Sequence, residues 1–191
     1  MLVLREVTEA LSLIALSEIA DKTMIAIVFS VEKPMVREVL AKVSIATLAF
    51  LSANIIPLCL GGILRSILRL EYATLLSSIL FIIVGVLNLR AESFNVSLAR
   101  NLKLLFTIVF LSELGDKTQL AFFAIVIKSL NPILPLLGAI LGFYLVNFIA
   151  SLVYSQTVLK IVDIKRVRRI TALIFIAVGL VMLISLLRDY L

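Results

Sequence analysis

Two short stretches place charged residues inside otherwise apolar segments, "SEIADKTMIAIVFSV" at residues 17–31 and "SELGDKTQLAFFAIVI" at residues 112–127. We call EIADKT, residues 18–23, the first motif and ELGDKT, residues 113–118, the second motif. A charge at the bilayer centre costs about 2.5–3.5 kcal/mol, so three charges cost about 7–10 kcal/mol and cannot be left facing lipid. The six charged residues are Glu18, Asp21, Lys22, Glu113, Asp116 and Lys117.

The motifs supply oxygen ligands for a cation. If both motifs meet, four carboxylates and two ammonium groups carry a net charge of −2, which one divalent cation would neutralise. The chain has no histidine and one cysteine, so hard cations such as Ca²⁺, Mn²⁺ or Mg²⁺ are favoured over zinc and copper. The predicted metal ligands are Glu18, Asp21, Glu113 and Asp116. The predicted supporting residues are Lys22, Lys117, Thr23, Thr118, Gln119, Ser17, Ser112, Asn54 and Asn147.

Such a site is also expected to bind protons. Four acids packed in a medium of low dielectric constant are costly to ionise together, so the metal-free site should hold protons as a coupled set. Metal binding would expel these protons. A site that holds either protons or a cation, presented to alternate faces of a membrane, is a cation/proton exchanger, with the lysines as internal counter-ions. In the competing interpretation, each glutamate pairs with the lysine four residues later and serves only helix packing, which leaves Asp21 and Asp116 without a cation.

Composition indicates an integral membrane protein. The chain has 191 residues, of which 62% are hydrophobic and 16% charged, and its mean hydropathy of +1.20 is too high for a soluble domain. A helix crosses the hydrocarbon core in about 20 residues, and the apolar runs lack the alternation of a transmembrane barrel. The sequence therefore predicts an all-α protein with six transmembrane helices, at about residues 8–30, 43–64, 71–89, 103–127, 132–154 and 170–187.

The chain also repeats itself at an offset of 95 residues. Seven of the eleven positions in residues 16–26 are identical in residues 111–121, and weaker matches follow in the second and third segments. Three spans are an odd number, so the second unit must enter the membrane from the opposite side, as in many secondary transporters. We therefore expect two inverted-topology three-helix repeats, at residues 1–90 and 102–191, joined by a loop at residues 91–101.

The distribution of basic residues predicts the orientation. Outside the motifs, eleven Lys and Arg residues lie in loops that are inside if the amino terminus is outside, and five lie in the other segments. The positive-inside rule then places both termini outside, in a multi-pass protein of the cell (plasma or inner) membrane. The basic run at residues 165–169 is interpreted as a topology signal and lipid-headgroup contact, so we expect no nucleic-acid partner. Gly138 and Gly142 form a GxxxG pair that favours packing within the chain, with a homodimer as the alternative.

At the two motifs the sequence resembles the GDT-type cation transporters (uncharacterised protein family 0016), which include the Golgi manganese/calcium transporters. The family signature is ExGDK[TS], present twice in inverted three-helix halves. The second motif matches it in full, and the first has Ala20 in place of the glycine. The resemblance covers essentially the whole chain and implies transport of Mn²⁺ and Ca²⁺ in exchange for protons, with the motif acids as ligands. The methyl group of Ala20 is expected to affect local packing and metal preference.

The sequence thus predicts a secondary transporter of divalent cations (Mn²⁺ and/or Ca²⁺), working as a cation/proton antiporter by alternating access at a midplane acidic site. A passive divalent-cation channel lined by the same acids stays open as an alternative. So does a small-solute exporter of similar six-span architecture, although the acidic cluster would repel a carboxylate substrate. No enzyme is expected, because no nucleophile–base pair, phosphate loop or long soluble segment is present. No prosthetic group is expected either; the bilayer, the transported cation and protons are the predicted partners.

Overall fold

The structure is a computed structural model that describes residues 2–19, 21–32, 35–90, 101–153 and 164–188. Within these ranges the chain forms eight helices and no strand. The predicted connecting loop at residues 91–101 lies outside them except for its last residue. The helices are α1 (Leu2–Glu18), α2 (Lys22–Ser30), α3 (Val36–Ile67), α4 (Leu70–Arg90), α5 (Leu102–Glu113), α6 (Lys117–Lys128), α7 (Ile133–Val153) and α8 (Ile164–Arg188).

Four of these helices, α3, α4, α7 and α8, are long and apolar enough to cross a membrane. They correspond to the second, third, fifth and sixth predicted spans. Large apolar side chains on their outer surfaces are exposed, among them Ile63 on α3, Leu141 on α7 and Val181 on α8. Such a surface suits lipid as the surrounding solvent, so the chain is an integral membrane protein of helical type.

The first and fourth predicted spans are interrupted at the motifs. The predicted spans at residues 8–30 and 103–127 run each motif through one continuous helix, and this prediction is wrong. Helix α1 ends at Glu18 and α2 begins at Lys22, while α5 ends at Glu113 and α6 begins at Lys117. The aspartate side chain in each break caps the following helix, and this local bond competes with continuation of the preceding helix.

Glycine contributes to the break in the second motif. Gly115 has a φ of 74°, a left-handed conformation that costs other L-residues about 1–2 kcal/mol. A Cβ atom there would meet no atom within 4 Å, so the position requires glycine for its backbone conformation. Ala20, which replaces this glycine in the first motif, lies outside the described residues.

Two pairs of helices that are equivalent in the predicted repeat, α4 with α8 and α3 with α7, pack against each other. Gly85 of α4 lies against Ala172 and Ile176 of α8, whereas Gly179 of α8 lies against Ser78 and Ile82 earlier in α4. Residues that follow one another along α4 therefore meet residues in reverse order along α8, so the two helices are antiparallel. Between α3 and α7, two phenylalanine rings stack with centroids 4.3 Å apart and fill the centre of the core.

The GxxxG pair is used within the chain. A Cβ atom at Gly138 would overlap the carbonyl oxygen of Val7, and one at Gly142 would lie 2.5 Å from the carbonyl oxygen of Leu11. Only glycine allows α7 to approach the backbone of α1 this closely. The prediction of intrachain packing is confirmed, and the contact fixes α1, which ends at the first motif, against α7.

Candidate cation site

Each motif spans a helix break and supplies acids from both sides of it. Glu18 and Glu113 are the last residues of α1 and α5. Asp21 and Asp116 are the N-caps of α2 and α6, and each carboxylate accepts a hydrogen bond of 3.3 Å from the backbone N–H two residues later. The C-terminal ends of α1 and α5 carry negative partial charge, which favours a cation at the breaks.

Threonine hydroxyls link each motif to the glutamate of the other. Thr23 donates to Glu113 Oε1 at 2.7 Å, and Thr118 donates to Glu18 Oε1 at 3.0 Å. Ser17 Oγ lies 2.8 Å from Thr118 Oγ1 and extends this network. Both glutamates are completely buried. The two breaks therefore face each other across the interior of the bundle.

The lysines also pair between motifs. Lys22 Nζ lies 2.8 Å from Asp116 Oδ1, and Lys117 forms a salt bridge with Asp21. Both salt bridges thus run between the motifs, whereas the packing interpretation placed each lysine on the glutamate of its own motif. It assumed a continuous helix, and the break removes the spacing of one helical turn that such a pair needs.

The two salt bridges differ in exposure. Lys117 and Asp21 have side-chain exposures of 9% and 5%, whereas Lys22 and Asp116 have 23% and 13%. The Asp116 side chain is therefore more accessible than that of Asp21 in this conformation.

Four buried oxygen atoms of the predicted site residues accept no hydrogen bond from the described part of the chain. They belong to the two motif glutamates and to one asparagine on each of α3 and α7, and both asparagines are fully buried. Each asparagine donates its amide N–H to the carbonyl oxygen four residues earlier in its helix, at 2.9 and 2.8 Å, which fixes which way the amide points. Unsatisfied buried acceptors cost about 1–3 kcal/mol each, so they call for a partner such as a cation. The four atoms are Glu18 Oε2, Glu113 Oε2, Asn54 Oδ1 and Asn147 Oδ1.

The second motif is anchored more firmly than the first. Gln119 accepts from the N–H of Gly115 and donates to the carbonyl oxygen of Ala53 on α3, both at 2.8 Å. Its amide thus holds the break against α3, and its predicted role as an additional ligand remains a prediction. Met24, the equivalent residue directly after the first motif, packs with Val28 in an apolar cluster.

The remaining predicted residue, Ser112, is half-buried in the last turn of α5, next to Glu113. Among the described residues, no three acidic, histidine or cysteine side chains lie close enough to hold a metal ion. The ammonium groups of the two lysines occupy the aspartates in this conformation. The structure therefore gathers the motif residues in one place, and the metal-ligand role of the acids remains a prediction.

Sequence reasoning missed the helix breaks and the bonds from threonine to glutamate, although it named all the residues involved. A signal for the break was present in the second motif. Glycine directly followed by aspartate matches a helix C-terminus and a new N-cap, which is a stop and a start in two consecutive residues. The long apolar runs on both sides obscured this signal.

Comparison with known proteins gives one family. A family model described as "Divalent cation/proton antiporter GDT1" matches residues 6–95 and 102–190, which cover nearly the whole chain and include both motifs. Among the curated proteins and the solved structures, the comparison found no match.

Proposed function

Because the chain belongs to the divalent cation/proton antiporter GDT1 family, whose members are transporters and not enzymes, we propose that it exchanges Mn²⁺ or Ca²⁺ for protons across the cell membrane. The observation that carries the proposal is the set of four buried oxygen atoms on Glu18, Glu113, Asn54 and Asn147 that accept no hydrogen bond among the described residues. Carboxylate and amide oxygens are the ligands that hard divalent cations prefer.

The glutamates are the first ligands in this proposal. One oxygen of each accepts a threonine hydroxyl, which holds the carboxylate and leaves its second oxygen for the cation. The asparagines add neutral oxygens. Asp21 and Asp116 complete the site once their lysines move away.

Charge balance supports proton exchange. The two salt bridges cancel four of the six motif charges and leave the two glutamates, with a formal charge of −2. Either two protons or one divalent cation restores neutrality. A buried excess charge is costly, so the site should hold either two protons or one divalent cation, and should seldom be empty with both glutamates ionised. Binding of the cation therefore displaces the protons, and binding of the protons displaces the cation.

Alternating access follows from inverted repeats in this proposal. The pairs α1–α2 and α5–α6 would each make one crossing, which with the four long helices gives six and places both termini on the same side of the membrane. The positive-inside rule makes that side the outside. The antiparallel contact of α4 with α8 supports two three-helix repeats of opposite orientation. So do the matching bonds that each motif makes to the other. Rocking one half against the other would expose the shared site first to one face and then to the other.

The more exposed salt bridge indicates where the cation arrives in the present conformation. It would meet Asp116 first, displace Lys22, and then reach the buried glutamates. In the opposite conformation Asp21 and Lys117 would take these roles, because the two motifs are equivalent by the repeat.

The test is uptake of Mn²⁺ and Ca²⁺ into proteoliposomes that hold a fluorescent metal indicator, with a pH gradient imposed in either direction. We expect uptake against the metal gradient when the lumen is acidic, and its loss in Glu18→Gln and Asp116→Asn. Glu71→Gln is the matched control, because it removes an exposed acid at the start of α4 and should transport normally. Flux that no proton gradient can drive uphill would identify a passive channel and refute the exchange.

A further inference from the structure

A groove of about 610 Å³ lies between α1, the end of α6 and α8, and none of its lining residues belongs to a motif. The α8 side is apolar and includes Ala177 and Val181. The α1 side is polar and includes Arg5, Thr8 and Ser12, all of which are exposed. The groove therefore has one wall for hydrocarbon and one for a polar group.

The polar end of the groove lies at an end of the helix bundle. Arg5 is in the first turn of α1, and Lys128 is the last residue of α6. The ends of α1 and α6 that lie away from the motifs are expected near the boundary between hydrocarbon and water, where arginine and lysine meet lipid headgroups. This end of the groove is therefore at headgroup depth.

The three charged residues that line the groove, Arg5, Glu9 and Lys128, sum to one positive charge, whereas Glu6 close by carries a negative charge and does not line the groove. Lys128 forms a salt bridge with Glu9, and Glu6 accepts hydrogen bonds from the Ser129 hydroxyl at 2.6 Å and the Leu130 N–H at 3.2 Å. Among the described residues Arg5 makes no salt bridge. Of the three charged residues that line the groove, Arg5 is thus the one whose charge is available to a ligand.

We propose that this groove binds one phospholipid, with its phosphate at Arg5 and an acyl chain along the apolar wall of α8. The positive charge complements the phosphate, and anionic headgroups such as phosphatidylglycerol should bind best. A free phosphate would satisfy Arg5 but leave the wall of Ala177 and Val181 uncovered. The bound lipid would lie beside the Glu9–Lys128 salt bridge, which joins α1 of the first half to α6 of the second.

The experiment uses the purified full-length protein, delipidated in detergent and titrated with phosphatidylglycerol, with bound lipid counted by native mass spectrometry. Arg5→Gln should weaken binding about fivefold, the effect expected for one surface basic residue near a headgroup. Ala177→Trp, which fills the groove, should weaken it as well. Arg69→Gln removes an exposed arginine between α3 and α4 that does not line the groove, and should leave binding unchanged.

Two further probes separate the sources of binding. Diacylglycerol with the same chains should bind more weakly than phosphatidylglycerol and should not respond to Arg5→Gln, while inorganic phosphate should not compete. The proposal is overturned if phosphatidylglycerol binds Arg5→Gln and Ala177→Trp as it binds the wild type. It is equally overturned if inorganic phosphate displaces the lipid and Ala177→Trp has no effect, because the site would then be one for free anions. Gel filtration of each variant shows that the loss of lipid does not result from unfolding.

Discussion

Replacing Asn54 by leucine should stabilise the metal-free protein and weaken its binding of cations. The two side chains have similar size and shape, so the substitution mainly removes the amide. In the structure, Asn54 is fully buried, its N–H group donates to the carbonyl of Phe50 at 2.9 Å, and its oxygen accepts no hydrogen bond from the described residues. The amide is therefore satisfied on one side only.

The expected change in stability follows from the N–H group and the oxygen of the Asn54 amide, considered separately. Removing the unpaired acceptor gains about 1–3 kcal/mol, and losing the N–H bond costs about 1 kcal/mol. The net gain in the free energy of unfolding is about 0–2 kcal/mol, or a rise of up to about 4–8 °C in the melting temperature for a chain of this length. If the oxygen is a cation ligand, its loss should weaken Mn²⁺ binding at least about tenfold.

The assay is thermal unfolding in detergent, with and without a series of Mn²⁺ concentrations, so that stability and affinity come from one experiment. Asn88→Leu is the matched control, because Asn88 on α4 is also buried, its amide oxygen accepts no hydrogen bond from the described residues, and it is not among the predicted residues of the site. It should change stability without changing affinity. The reasoning would be refuted if Asn54→Leu lowered the metal-free melting temperature and left Mn²⁺ affinity as in the wild type.

Three other predictions follow from the site. Double-mutant cycles on the free energy of unfolding should give a coupling energy of about 1–3 kcal/mol between Lys22→Met and Asp116→Asn. The coupling energy between Lys22→Met and Glu18→Gln should be less than about 0.5 kcal/mol. A larger coupling energy with Glu18 than with Asp116 would favour pairing within one motif. Gly115→Ala should lower the free energy of unfolding by about 1–2 kcal/mol, and Gly115→Asn by less, because asparagine tolerates the left-handed conformation. Equal losses in both variants would show that the space available to a side chain, and not the backbone conformation, makes glycine necessary here. The dissociation constant for Mn²⁺, measured by titration calorimetry, should rise as pH falls, with a slope of log Kd of up to about two per pH unit, because protons and the cation occupy the same carboxylates; a flat profile would contradict exchange.

The meeting of the two motifs was predictable from the sequence. Intramembrane charges such as Glu18 and Glu113 cannot face lipid, and a repeat at an offset of 95 residues gives both of them equivalent places in two similar units. The close approach at Gly138 was predictable from its GxxxG spacing. Its partner, α1, was not, because spacing on one helix carries no information about the surface that packs against it.

The geometry inside each motif was not predictable from hydrophobic periodicity. The apolar runs on both sides continue through the motif, so periodicity favours one helix, whereas the bonds that decide the structure are local. Asp116 caps α6, and Gly115 takes a left-handed conformation just before it. Once the helix ends at Glu113, the lysine no longer lies one turn away and pairs instead with the other motif. A pattern averaged over many residues cannot resolve a change made by two.

The most direct test of the shared site is the position of the cation itself. Crystals of the protein grown with Mn²⁺ should give one anomalous peak between the two helix breaks, at coordination distance from carboxylate oxygens of both Glu18 and Glu113. In crystals grown with Ca²⁺ instead, the ion should lie about 2.3–2.6 Å from the same carboxylate oxygens. An ion bound by the acids of one motif alone, or by residues elsewhere in the bundle, would contradict the account.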